Sequence, residues 1–323
     1  MSAPAFRSLA DIEALECMPY AQSIPALTTY GLIAHAAFRF GERDAFRYLK
    51  NGDLDAPAER VSYTTLLAQI HRAANLFRAL GVGPDDAVAI LAPNIPETHF
   101  ALWGAQLACK ACPINYLLQP DHIAALLVAS NAKVIVALGP NSELNLWPTV
   151  ETVLALKPLP VLQISVDANA APGVPVFQDL LAQHSNVLNF DPQLSPERVA
   201  ACFHTGGTTG APKLAQHSHG NEAHTSWFAH FYYGFDEHTV EVNGFPLFHV
   251  AGAFVYGLSM LAIGVTQVLP TLSGMRSAAF VKNYWKFCAR ERVTALACVP
   301  TILATLVNLP VDADISAIQV AYT

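Results

Sequence analysis

Between residues 86 and 165 the sequence alternates regularly between two hydrophobic periodicities, and this alternation constrains the fold more than any other feature. Short continuous apolar segments, such as 134–138, are typical of strands buried on both faces. Longer segments with apolar residues at helical spacing separate them. The predicted elements are strand 86–91, helix 96–108, strand 111–114, helix 120–130, strand 133–138, helix 142–155 and strand 161–165. Repeated β-α-β units predict an α/β fold with a largely parallel sheet covered by helices on both faces.

The sequence predicts further helices and strands on both sides of this region. A strong amphipathic helix is predicted over 62–80, because its apolar residues share one face and Gly81 follows as a terminator. After polar connections at 166–175 and 184–197, a second block begins at about Val199. Its predicted elements are strand 199–204, a short strand behind a Gly/Thr-rich loop, helix 220–233, strand 239–243, a buried helix and strand within 251–269, helix 276–291, strand 294–298, helix 300–308 and strand 318–323. We therefore predict two stacked α/β subdomains, 1–198 and 199–323.

Composition excludes several classes of protein. The chain is globular: apolar residues make up 53% of it, and charged residues 13%, about half the usual share, so it must bury much of its surface or be part of something larger. A net charge of −7 with only 18 Lys and Arg residues provides no basic stripe for nucleic acid. The N-terminus has no secretory apolar region, and six cysteines in 323 residues are no disulfide framework, so a cytoplasmic location is expected. Cys109 and Cys112 form a lone C-x-x-C pair and are interpreted as small packing residues.

The most apolar window, 250–269, is long enough to cross a bilayer. Glycines and polar residues interrupt it, which favours a buried helix followed by a strand. No membrane span is expected, although peripheral membrane contact stays open. A transporter or scaffold subunit would require this window to lie in a membrane.

The most specific segment is the loop that follows strand 199–204. Thr205, Gly206, Gly207, Thr208, Thr209 and Gly210 are followed by Ala211, Pro212 and Lys213. Glycines allow backbone N–H groups to approach a ligand, threonines add hydroxyl donors and the lysine adds a mobile charge, which together suit a phosphate. The spacing does not match the Walker A pattern. On composition alone, a flexible Gly/Thr turn remains the alternative.

Three further features of the sequence allow more than one interpretation. His249 is a lone polar side chain in the apolar segment 245–252, where a core histidine with a hydrogen-bond partner is the alternative to a functional one. Val299-Pro300-Thr301 indicates the start of a helix. His217 and His219 are expected to share a strand face, but no carboxylate or cysteine at ligand spacing completes a metal site, so no metal ligands are assigned.

Taken together and in this order, several segments resemble the adenylate-forming superfamily of acyl-CoA synthetases, peptide-synthetase adenylation domains and luciferases. Residues 205–213 are similar to its phosphate-binding core, Thr-Ser-Gly-Thr-Thr-Gly-x-Pro-Lys. The other matching segments are His219-Gly220-Asn221, Pro246-Leu247-Phe248-His249, Val299-Pro300-Thr301, Pro93-Asn94-Ile95-Pro96-Glu97 and Pro113-Ile114-Asn115. Within the superfamily, the chain most resembles bacterial fatty-acyl-CoA synthetases.

The resemblance implies ATP-dependent activation of a carboxylic, fatty acid to an acyl-adenylate and transfer of the acyl group to CoA. It assigns the β- and γ-phosphates of ATP, with Mg²⁺, to residues 205–210 and Lys213, and it assigns His249 to shaping the acyl-adenylate pocket. Gly206 stands where Ser is common, and Leu214 where Gly usually follows the lysine.

The family's adenine, ribose, hinge and C-terminal lid motifs lie beyond the end of the sequence. We therefore expect an incomplete second subdomain, no lid domain and no activity from this chain alone. The alternatives are a non-catalytic nucleotide- or acyl-binding fragment and a stand-alone adenylation domain that loads a carrier protein. The identity of the acid and the formation of a homo-oligomer stay open.

Overall fold

The computed structural model describes residues 8–205 and 213–322, and the chain divides into two compact units. The first unit comprises Met1–Leu66, Glu222–Pro246 and Ala251–Thr323, and the second comprises Leu67–Asn221 and Leu247–Val250. The strands are β1 (Asp44–Tyr48), β2 (Glu59–Ser62), β3 (Ala87–Leu91), β4 (Lys110–Pro113), β5 (Ala132–Leu138), β6 (Val161–Ile164), β7 (Val199–His204), β8 (Leu214–Ser218), β9 (Val240–Val242), β10 (Thr266–Leu269), β11 (Ala295–Ala297) and β12 (Val320–Tyr322).

The helices occupy most of the segments between these strands. The α-helices are α1 (Leu9–Glu16), α2 (Tyr20–Ser23), α3 (Thr29–Phe40), α4 (Tyr63–Ala79), α5 (Pro96–Ala108), α6 (Pro120–Ala129), α7 (Trp147–Leu156), α8 (Phe177–Ala182), α9 (His219–Tyr233), α10 (Ser259–Ala262), α11 (Ala278–Lys282), α12 (Tyr284–Glu291) and α13 (Pro300–Leu306). A π-helix covers Ala251–Leu258, and a 3₁₀-helix covers Gly274–Arg276.

The second unit is built on a six-stranded sheet with the strand order β6-β5-β3-β4-β7-β8. All neighbouring strands are parallel except β8, which runs antiparallel to β7. Every residue of β3 is buried, as expected for a strand with helices packed against its sheet. Helix α5 packs so closely on α4 that a Cβ added to Gly104 would lie 2.5 Å from Cβ of Ala73.

The first unit contains a second six-stranded sheet, with the order β12-β11-β9-β10-β1-β2. Its strands are parallel except for the antiparallel pair β1 and β2. An apolar cluster that includes Phe280, Tyr284 and Phe287 packs with Val242 and Val268 of this sheet. The predicted α/β class, with largely parallel sheets and helices, is confirmed in both units.

Two predicted helices differ from the structure for local reasons. The helix predicted from residue 142 begins at Trp147, because the Asn141 side chain accepts hydrogen bonds from the following N–H groups and Pro148 sits in the first turn. The helix predicted over 276–291 is divided at Asn283, whose backbone leaves the helical region at φ −103° and ψ 14°. The expected shared strand face of His217 and His219 is also wrong, since His219 begins α9.

Candidate functional site: a loop at the carboxyl edge of a parallel sheet

A β-hairpin holds the base of the predicted phosphate loop. β7 and β8 pair in antiparallel register through Cys202 with Gln216 and His204 with Leu214. Directly beyond this pair, the N–H of Thr205 donates to the carbonyl oxygen of Lys213 at 3.0 Å. Thr205 and Lys213 are both exposed. Of the predicted phosphate ligands, Gly206, Gly207, Thr208, Thr209 and Gly210 lie outside the described residues, and the structure brings the other two, Thr205 and Lys213, together at the base of the loop.

The loop leaves the sheet at the edge where its parallel strands end. β7 is parallel to β4 through the pair Ala111 and Ala201, so both strands finish at the same edge. In open α/β sheets, ligands bind outside the carboxyl ends of the strands. The segment after β4 turns through Asn115, whose side-chain oxygen accepts from the N–H of Leu117 at 3.0 Å.

The backbone of this turn is bonded to the strand that leads into the loop. The N–H of Asn115 donates to Nε2 of His204 at 3.2 Å. His204 is the last residue of β7, is half-buried and directly precedes Thr205. This histidine therefore links the ends of two neighbouring parallel strands at the edge from which the loop starts.

The segment 247–250 brings aromatic and imidazole groups to the same unit. The ring of Phe248 lies 5.5 Å from the ring of Tyr116 in an edge-on arrangement and 6.3 Å from the ring of His204. Burial lowers the pKa of His204, and the nearby His249 lowers it further. His249 itself is exposed, so the alternative of a core histidine at this position is wrong.

Arg198 anchors the start of the strand that carries the loop. Its guanidinium donates to the carbonyl oxygens of Gln106 at 3.0 Å and Cys109 at 2.9 Å, at the C-terminal end of α5, and to that of Pro192 at 2.6 Å. A cation at a helix C-terminus satisfies carbonyls that have no partner within the helix. The backbone oxygen of Arg198 also accepts from the N–H of His219, where β8 passes into α9. One residue thus ties both strands of the hairpin to the body of the unit.

The sequence predicts no individual role for His204, Asn115 or Arg198. Only His204 has a recognisable signal in the sequence. It is a titratable residue at the end of an apolar strand, directly before a Gly/Thr loop, and this position places it at the edge of the sheet. Contacts between Arg198 and α5 join residues about ninety positions apart, which no local pattern indicates. The helix predicted at Pro300 is confirmed, with Val299 as the residue before its first turn.

The two cysteines of the C-x-x-C pair are neither disulfide-bonded nor activated as nucleophiles. Cys109 and Cys112 are free and buried, and burial raises the pKa of each thiol to about 12. A thiol with such a pKa stays protonated at neutral pH and is a poor nucleophile. The interpretation of this pair as packing residues is confirmed.

Residues 8–205 and 213–322 contain neither a metal-binding cluster of side chains nor a membrane-spanning helix. There, no three His, Cys, Asp or Glu side chains are grouped so that they could hold a metal ion. None of the helices described is long and apolar enough to cross a membrane.

The structure defines an α/β protein in which a Gly/Thr-rich segment follows the carboxyl end of β7, at the edge of a largely parallel sheet. The family model for the AMP-binding enzymes matches residues 33–323. This match covers most of the sequence, so the chain belongs to the AMP-binding enzyme family. The resemblance to adenylate-forming enzymes is confirmed.

Curated relatives of the chain are CoA ligases. The marinolic acid–CoA ligase of Pseudoalteromonas sp. (strain SANK 73390) is 32% identical over 312 residues, which cover 95% of this chain and 48% of that protein. The crotonobetaine/carnitine–CoA ligase of Salmonella arizonae is 28% identical over 260 residues, covering 79% and 48%. The chain thus spans about half the length of the curated relatives it matches.

Solved structures share the fold. The anthranilate CoA ligase AuaEII, in complex with anthranoyl-AMP, superposes with a TM-score of 0.78 at 19% identity, over 95% of this chain and 56% of that one. The N-terminal domain of FACL13 from Mycobacterium tuberculosis superposes with a TM-score of 0.73 at 21% identity, over 91% and 69%.

Proposed function

We propose that residues 1–323 supply the acid-activating half of an AMP-forming acyl-CoA ligase. The observation that carries the proposal is the closed base of the Gly/Thr loop, where the Thr205 N–H bonds the Lys213 carbonyl at the carboxyl edge of the parallel sheet. This hydrogen bond brings Lys213 next to Thr205, from which the proposed phosphate-binding segment begins. Family membership and the CoA ligases among the relatives support this reaction class.

The proposed reaction has two steps. An oxygen of the substrate carboxylate attacks the α-phosphorus of ATP, the bond between the α- and β-phosphates breaks, and pyrophosphate leaves. The thiol sulfur of CoA then attacks the acyl carbon, which forms a thioester, releases AMP and passes the thiol proton to solvent. The first step concentrates negative charge on the departing pyrophosphate, so fixed donors at that position lower its barrier.

The chain's own residues have distinct proposed roles. Thr205, Gly206, Gly207, Thr208, Thr209 and Gly210 would hold the β- and γ-phosphates through N–H and hydroxyl groups, and Lys213 would neutralise part of their charge. His249, exposed in the turn that follows Phe248, would contact the acyl-adenylate. These assignments are proposals, as is the division of the chain at residue 198.

Magnesium fits this donor set as an ion carried by the nucleotide. Mg²⁺ is commonly bound by substrate phosphates and one or two carboxylates while keeping several waters, so it does not need a dedicated cluster of protein ligands. When bound, it would withdraw charge from the phosphate oxygens. The proposed substrate is a fatty acid, as in the synthetases that the sequence most resembles, and the proposed location is the cytoplasm.

The test is a survey of acids with the whole protein that contains residues 1–323. ATP, CoA and one acid at a time are supplied, and AMP and acyl-CoA are measured. We expect at least one carboxylic acid to give both products in equal amounts. ATP turnover that ignores every acid would contradict the proposal. Acid-dependent AMP formation that requires a carrier protein in place of CoA would identify the adenylation-domain alternative.

A further inference from the structure

The hydrogen bond between Asn115 and His204 determines which nitrogen of the histidine carries the proton. A backbone N–H can only donate, so Nε2 of His204 must be an unprotonated acceptor at 3.2 Å. A neutral imidazole has one proton, which must then lie on Nδ1. His204 is therefore held as an Nδ1–H donor.

The surroundings of His204 favour this neutral form. In an imidazolium both ring nitrogens would carry protons, and the proton on Nε2 would face the N–H of Asn115. Burial and the nearby His249 both lower the pKa of His204. The ring therefore provides a fixed, uncharged hydrogen-bond donor at neutral pH.

The Nδ1–H group of His204 has no hydrogen-bond acceptor among the described residues. Among residues 8–205 and 213–322, no side chain or backbone group forms a hydrogen bond with Nδ1, and the residue is only half-buried. The next residue, Thr205, opens the phosphate loop. The ring of Phe248, beside His249, lies 6.3 Å away. His204 thus adjoins Thr205, the first residue of the proposed nucleotide-binding loop, and lies near Phe248, which directly precedes His249.

We infer that the Nδ1–H of His204 donates a hydrogen bond to an anionic oxygen of the reacting centre, on the substrate carboxylate or on the α-phosphate that it attacks. This inference rests on the proposed function and adds a catalytic residue to it. A donor with a fixed tautomer is already oriented before charge develops, and it stabilises an oxyanion without transferring a proton.

Two substitutions separate the functions of the two ring nitrogens. The amide of Asn branches at the same carbon as Nδ1 of His, whereas the amide of Gln lies one carbon further, near the position of Nε2. His204→Asn can therefore keep a donor for substrate, while His204→Gln can keep an acceptor for the N–H of Asn115. We expect kcat/KM of the whole protein to fall on the order of 10²-fold in His204→Gln and by less than about tenfold in His204→Asn.

The pattern of losses decides between a catalytic and a structural role. Losses in the reverse order would mean that His204 serves to hold Asn115, and equal losses or no losses would also overturn the inference. His122→Gln, at an exposed position of α6, is the matched control and should leave kcat/KM unchanged. If the unsubstituted protein shows no acid-dependent turnover, the proposed function is wrong, and the inference that rests on it is wrong as well. If the unsubstituted protein is active but the two variants do not show the expected order of losses, only the inference is wrong.

Steady-state constants identify the oxygen that is bound. In His204→Gln, a raised KM for the acid indicates the carboxylate, and a raised KM for ATP indicates the α-phosphate. A fall in kcat alone indicates a bond made in the transition state, and each of these results supports the inference.

A measurement on residues 1–323 themselves tests the tautomer without activity. In ¹⁵N-histidine NMR spectra, the signals lost in His204→Gln are assigned to His204. We expect the pattern of an Nδ1–H, Nε2-acceptor ring at neutral pH. The opposite tautomer, or a doubly protonated ring, would overturn the inference even if the variants were inactive for other reasons.

Discussion

Glu241 is a fully buried acid in the middle of a sheet, and it makes stability depend on pH in an unusual direction. It lies in β9 with Gln267 and Ala295 as its register partners, and its exposed fraction is 0%. No described group forms a hydrogen bond with either carboxylate oxygen. The nearby side-chain amides are engaged, since Asn243 donates to Gln267 and Gln267 donates to the carbonyl oxygen of Gly257. Burial raises the pKa of Glu241 well above its ordinary value.

The direction in which the free energy of unfolding changes with pH follows from whether the folded or the unfolded chain binds the proton of Glu241. Above the unfolded pKa of about 4.3, the unfolded chain loses this proton while the folded chain keeps it. The contribution to the free energy of unfolding is therefore fully present below that pH and is lost as pH rises toward the folded pKa. At each pH between the unfolded and the folded pKa, the slope is about 1.4 kcal/mol per pH unit.

The substitution Glu241→Gln keeps the size of the side chain and cannot ionise. Urea unfolding of residues 1–323 is measured at several pH values for both forms. Above about pH 5, we expect the free energy of unfolding of the variant, relative to the unsubstituted chain, to increase by about 1.4 kcal/mol for each pH unit up to the folded pKa of Glu241. Glu59→Gln, at an exposed position of β2 in the same sheet, should show no such trend. Parallel pH profiles for Glu241→Gln and the unsubstituted chain would refute the reasoning.

Three other outcomes are expected. Gly104→Ala should destabilise the chain by about 1–3 kcal/mol in urea unfolding, because the added Cβ would overlap Ala73. Ala is the better helix former, so a stabilised variant would contradict the close packing of α5 on α4. Arg198→Lys should cost about 2 kcal/mol in the same assay, since a single ammonium nitrogen cannot replace the two guanidinium nitrogens, one of which binds the carbonyl of Pro192 and the other that of Cys109. An unchanged midpoint would show that this pair of contacts is unimportant. Residues 1–323 alone should form no measurable acyl-CoA, and product detected by mass spectrometry would show that no further segment is needed.

The elements of the second unit were largely predictable from the sequence, because their signals are local. Helix α5 has the predicted bounds, and β7 ends where the apolar run ends, at His204. Both follow from periodicity and from turn residues at their ends. The positions of Thr205 and Lys213 at the base of the loop follow from the strand on either side of the Gly/Thr segment.

The pairing of distant segments was not predictable. β1 carries no strong alternation, and it becomes a strand by pairing with β10, with Phe46 opposite Gln267. Burial of Glu241 could not be read locally either, because the apolar context that forces it inside comes from neighbouring strands. The bond between Asn115 and His204 likewise depends on the parallel packing of β4 against β7.

The most direct test of the central claim is acid-dependent exchange of pyrophosphate into ATP by the whole protein, with and without Lys213. This exchange reports formation of the acyl-adenylate and does not require CoA. If the loop holds the departing pyrophosphate, Lys213→Ala lowers the exchange rate on the order of 10²-fold. Lys282→Ala, at an exposed position at the end of α11, leaves it unchanged. Exchange at the unsubstituted rate in Lys213→Ala would contradict the assignment of this loop to the phosphates of ATP.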